Sequence, residues 1–301
     1  MNDLYHWLHV TMKALAESGT LPRSMMYEFV VNGLLCALFI GPLLGALGTM
    51  VVVKRMAFFS QAIGNAALTG VAIGIMLGES YSSPYVSMFS FCILFGIALK
   101  YTQYRTSLPN DTLIGVFLSI SLALGASLLL YVSAKINTHV MESVLFGSIL
   151  TVDSIDMNIL IVVTLVCAGI GMPLYNHMLL SSMNPSLAHA RGVHVRTLEY
   201  VFVVLLTFVT VACLKVVGAV LVEALLLIPA AAARNVSRTL GQFVTGSIVI
   251  ATLSCLLGVL LPMQFELPVP TGGAIIMVAA SIFVLTTIIR ATFPGFRSAG
   301  V

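Results

Sequence analysis

Residues 197–233 read TLEYVFVVLLTFVTVACLKVVGAVLVEALLLIPAAAA, and the charged side chains among them are Glu199, Lys215 and Glu223. As a single helix this stretch would run about 55 Å, against a hydrocarbon core about 30 Å thick. It therefore reads as two membrane spans that break near Val217-Gly218, since glycine is a weak helix position. The second of the two, 218–233, is short, which leaves its depth open.

Outward from this stretch, similar apolar runs occupy roughly 27–53, 57–78, 84–103, 111–134, 154–180, 240–262 and 271–290. The chain has 301 residues, 59% hydrophobic and 8% charged, with a mean hydropathy of +1.07. Soluble domains carry about 25% charged residues, and disordered chains combine low hydrophobicity with high charge. Both classes are excluded. The runs are long and continuous, without the alternating ten-residue segments of a barrel. The expected fold class is all-α, a polytopic membrane protein with eight or nine transmembrane helices.

The basic residues support nine. If the 181–196 loop is cytoplasmic, alternation places Lys54, Arg55, Lys100, Arg105, Arg191, Arg196, Arg234, Arg238, Arg290 and Arg297 inside. Lys13, Arg23, Lys135 and Lys215 fall outside, so the N-terminus is outside and the C-terminus cytoplasmic. Residues 1–25 read as a surface segment or tail, with a stripe at Leu4, Leu8, Met12 and Leu15 and no signal-peptide core. Residues 26–292 form the transmembrane domain and 293–301 a cytoplasmic tail. The net charge of +3 includes no basic cluster fit for nucleic acid. The cysteines Cys36, Cys92, Cys167, Cys213 and Cys255 lie inside apolar runs and read as buried thiols, without disulfides. Gly41 and Gly45, and Ala66, Gly70, Gly74 and Gly78, recur every four residues as small ridges for close helix packing.

No P-loop, HExxH or GxSxG occurs in the chain. An enzyme is not expected, and any pumping energy must come from a partner. Three features stand out. Glu223 is costly inside lipid, by about 2.5–3.5 kcal/mol, so it either lines a cation pathway or pairs with Lys215 across a break at Gly218. Gln61 and Asn65 share a helix face and either line a polar track or bond between helices. In the loop 184–193, Asn184 and Pro185 read as a helix start and Gly192 as its stop, around Leu187, Ala188 and Arg191. Such a capped helix suits docking of a soluble partner, or is an ordinary solvated turn. His177, His189 and His194 read as solvated, and His139 with Glu142 as a weak outer ion-receiving pair.

These motifs resemble the permease subunit of the bacterial zinc, manganese and iron ABC importers. The resemblance rests on Gly45–Phe59, Ala66–Ala72, Asp111–Gly115 with Ala123-Leu124-Gly125, Leu145-Phe146-Gly147, Leu187–Val193 and Val217–Arg234, in that order. It implies the permease fold of the vitamin B12 and metal-chelate importers in the bacterial inner membrane. It also implies a second permease subunit, identical or paralogous, a cytoplasmic ATP-binding subunit docked on 184–193, and an extracytoplasmic metal-binding protein. ATP would act through the partner, with no permanently bound cofactor and a divalent metal as cargo. The family carries an acidic residue and a histidine four apart where this chain has Gln61 and Asn65, and a neutral residue at Glu223. Glu223 as metal ligand, facing Gln61 and Asn65, would restore the charge and favour manganese or iron over zinc. The competing reading is an ion-gradient transporter or channel that uses Glu223 as its ion site.

Overall fold

Ten helices account for nearly all residues described by the computed structural model, which are 27–79, 84–106, 108–133, 154–265 and 269–292. They are α1 (Glu28–Val53), α2 (Phe59–Met76), α3 (Tyr85–Thr106), α4 (Asn110–Ser133), α5 (Ser154–Met183), α6 (Pro185–Ala190), α7 (Val195–Val217), α8 (Ala219–Val236), α9 (Leu240–Gln264) and α10 (Thr271–Thr292). Among the described residues nine helices are long and apolar enough to cross a membrane, and α6 alone is short. The surface segment 1–25, Lys135, the His139–Glu142 pair, Leu145-Phe146-Gly147 and the tail 293–301 lie outside the described residues.

The break expected at Gly218 is present. With φ of 85° and ψ of 158°, Gly218 ends α7 and starts α8 in a conformation open to glycine. Alternation of the helices then collects Lys54, Arg55, Lys100, Arg105, Arg191, Arg196, Arg234, Arg238 and Arg290 at one end of the bundle, and Lys215 at the other.

Two groups of helices share the core. In one, α1 packs on α5, α8 and α9; in the other, α2 packs on α3, α4, α7 and α8. The small residues of α1 set the first group's closeness. A Cβ on Gly41 would stand 2.7 Å from the Thr252 Cα, and one on Gly45 2.8 Å from the Ile248 Cα, both on α9. A Cβ on Gly48 would run into the backbone carbonyl of Leu226 on α8. On α2, Gly70 and Gly74 meet α3 at Met88 and Ser87. Gly78 does not extend that ridge: it lies past the end of α2, has φ of 88°, and faces open space. Its task is to turn the chain.

The antiparallel helices α3 and α7 are joined near both ends. At the basic end Lys100 of α3 pairs with Glu199 of α7 at 2.7 Å. At the opposite end Lys215 of α7 donates to the Tyr85 hydroxyl at 2.7 Å and pairs with Asp156 of α5 at 3.0 Å, while Tyr85 also donates to Asp156. All five cysteines are buried and free.

Candidate functional site

The three residues read as a pathway lie where α2 meets α8. A Cβ built on Gly64 would stand 3.3 Å from the Ala219 Cβ and 3.4 Å from a Leu214 methyl, so the helices cross closely there. Asn65 follows Gly64 directly and is half-buried; Gln61, one turn back, is exposed. Glu223 is half-buried and lies one turn beyond Ala219, hence on the same face of α8. On the other side of α2 the Asn65 carbonyl lies under α4, 3.2 Å from where a Gly125 Cβ would be, and accepts from the Thr69 hydroxyl at 3.4 Å. The close crossing of α2 and α8 at Gly64 and Ala219 thus has Gln61, Asn65 and Glu223 within about one helical turn of it along their own helices.

Among the described residues no hydrogen bond or ion pair engages the side chains of Gln61, Asn65 or Glu223. Lys215, the other partner considered for Glu223, is held by Asp156 and Tyr85 instead. Glu223 cannot be explained as half of a structural salt bridge to it. No group of three His, Cys, Asp or Glu side chains fit to hold a metal occurs among the described residues. Any cation here would meet one carboxylate and amide oxygens. Two buried hydroxyls, Ser60 on α2 and Thr210 on α7, also have no hydrogen-bond partner among the described residues.

At the basic end, the 184–193 segment folds as its residues dictate. The Asn184 side chain accepts from the Leu187 amide at 3.1 Å, Pro185 opens α6, and Gly192 at φ of 73° closes it. The Val193 amide returns to the Ala188 carbonyl at 3.0 Å. Ala188 is buried against the bundle, and Leu187, His189 and Arg191 are exposed. His177 and His194 are exposed as well.

One polar cluster was not foreseen. Lys54 and Lys100 read as topology markers, yet Lys100 is buried and both converge on Glu199, Lys54 at 4.0 Å. Tyr104 donates to the same carboxylate. Lys100 also donates to Gln103 at 2.7 Å, Gln103 donates to Asn110, and Asn110 donates to the Lys54 carbonyl at 2.8 Å. The Arg196 guanidinium covers the Tyr104 ring at 4.8 Å. The cluster ties the first turns of α7, just past α6, to the ends of α1 and α3 and the start of α4. Burial pushes the Lys54 ammonium down to about 8; Glu199 pulls it up, and Lys100 pushes it further down.

Among the described residues the fold is a bundle of apolar helices of membrane-spanning length, with its charged groups gathered near the helix ends. Comparison with known proteins assigns it more narrowly. Residues 26–290 match the ABC 3 transport family, and the chain belongs to that family. It is 31% identical over 259 residues to the manganese transport system membrane protein MntC of Listeria monocytogenes, covering 86% of this chain and 90% of that protein. It is 27% identical to the high-affinity zinc uptake system membrane protein ZnuB of Haemophilus influenzae, over 87% of this chain and 97% of that one. Among solved structures, PsaBC from Streptococcus pneumoniae in complex with Fab superposes with a TM-score of 0.73 at 29% identity, over 87% of this chain and 91% of that chain. The protein is a multi-pass component of the bacterial cell membrane.

Proposed function

We propose that this chain is the permease of an ATP-driven importer for a divalent metal ion, working by alternating access as one of a pair of permease subunits. Family membership and relatives named for manganese transport and zinc uptake support that cargo class. The chain lacks a nucleotide-binding loop. ATP hydrolysis then belongs to a cytoplasmic subunit, with α6 and its exposed Leu187 and Arg191 as the docking element. An extracytoplasmic metal-binding protein delivers the ion to the other end. These couplings favour an ATP-driven importer over the ion-gradient transporter.

The observation that carries the reading is Glu223, a half-buried carboxylate with no partner among the described residues, one turn along α8 from the crossing of Ala219 with Gly64 of α2. A cation crossing this interface exchanges water for the Glu223 carboxylate and the oxygens of Gln61 and Asn65. That donor set is hard and lacks imidazole and thiolate, which suits manganese or ferrous iron better than zinc. Metal uptake by cells expressing the complete importer tests this. Glu223→Gln is expected to cut manganese uptake at least tenfold and to erase preference over zinc. Unchanged uptake and preference would refute the assignment.

A further inference from the structure

Helices α5 and α9 both lie against α1 and have no extensive packing on each other among the described residues. Between them, over α1, is a cavity of about 480 Å³ with an almost wholly apolar lining that includes Phe39, Leu43, Cys167, Gly171 and Ile248. Its α1 wall runs from Leu38 to Met50. That is a rise of about 18 Å, close to the depth of one leaflet of a core about 30 Å thick. Tyr175, Asn176 and Val244 line this cavity and also a second one of about 810 Å³, which opens at the basic end beside His177 and Arg191. Met183 borders both that cavity and a third, of about 280 Å³, lined by Arg55, Arg234, Ser237 and Thr239. A leaflet-deep apolar slot therefore leads toward the basic end, where Arg191 lines the second cavity and Arg55 and Arg234 line the third, next to it at Met183. Its α1 wall is on the face of that helix opposite Gly48, which meets α8, and among the described residues no acidic side chain lines any of the three parts.

We propose that this slot is a binding site for an anionic phospholipid, with an acyl chain between α5 and α9 and the phosphate at the arginine mouth. Charge complementarity selects the occupant: the arginines repel the cationic cargo and attract phosphate, for which basic pockets between membrane helices are suited. The site does not depend on which metal the protein carries. Two glycines give a probe. A Cβ on Gly171, which lines the apolar cavity, or on Gly241, which lines the second, meets nothing within 4 Å, so a substitution starts in open space.

Native mass spectrometry of the full-length chain, delipidated and returned to phosphatidylglycerol or to phosphatidylcholine with the same chains, tests the proposal. Phosphatidylglycerol should be retained in preference. Arg234→Gln and Arg55→Gln should each lower that preference about fivefold, the effect of one basic side chain near an anionic surface. Gly171→Leu should lower retention of phosphatidylglycerol, whereas Gly169→Leu, outside the lining and equally unobstructed, should not. Equal retention of the two lipids would overturn the proposal. So would an unaffected Gly171→Leu variant, or inorganic phosphate displacing the lipid completely, which would mean an anion site without a place for the chain.

Discussion

At the scale of single residues, the basic end holds two lysines against one carboxylate. Removing Glu199 leaves Lys54 and Lys100 buried together without compensation, and a broken buried pair costs about 3–5 kcal/mol. The Glu199 side chain is 23% exposed, so Glu199→Gln is expected to cost less, roughly 2–3 kcal/mol, read as a lower thermal midpoint in detergent. Lys54 titrates in a usable range. The unfolded chain holds its proton up to about 10.5 and the folded chain only up to about 8. Between those values the unfolded state binds more protons, so stability rises with pH. The thermal midpoint should climb from pH 8 towards pH 10 in the wild type and lose that climb in Lys54→Met. Glu223 stands out in the sequence because charge is scarce inside the spans, and its role is part of the proposal. The Glu199 cluster was not, since its partners come from positions far apart in the chain. Only the α3–α7 register brings them together, and periodicity in one sequence carries no register between helices.

Between helices, closeness is set by a few absent methyl groups. Lipid gives no hydrophobic drive for association, so tight backbone contact supplies much of it. Gly48→Ala would push the α1 backbone off the Leu226 carbonyl and is expected to cost about 1–3 kcal/mol. Gly169→Ala, on an open face of α5, should be neutral or slightly stabilising, as alanine is the better helix former. Thermal melting of the two variants side by side checks the contrast. The pairs Gly41 and Gly45, and Gly70 and Gly74, were readable from their spacing. Gly78 shares that spacing but lies beyond the helix end, where its positive φ serves a turn. The break at Gly218 and the capped α6 were also readable, because both are encoded by local backbone chemistry. That α2 meets α8 at Gly64 and Ala219 is a tertiary fact, absent from any local pattern.

Across the whole molecule, charge sorts the bundle into a basic end and an end that carries the Lys215–Asp156–Tyr85 contact. At the basic end, α6 packs on α5 and α7, and Glu199 near the start of α7 reaches α1 and α3. Movement of a partner at α6 would thus be passed through α7 to α3, which is fastened to it near both ends. The α2–α8 interface, with Glu223, borders that unit because α2 packs on both α3 and α7. Under the proposed function, coupling of nucleotide hydrolysis to a cation path would run through this chain of packed helices.

ATP-driven import is tested most directly by reconstituting the chain with the proposed ATPase subunit and metal-delivering protein in proteoliposomes and following manganese entry. Uptake is expected only with ATP, and is expected to fall at least tenfold with Glu223→Gln while ATPase docking on α6 is retained. Manganese entry by the chain alone, driven by an ion gradient and indifferent to ATP, would contradict it.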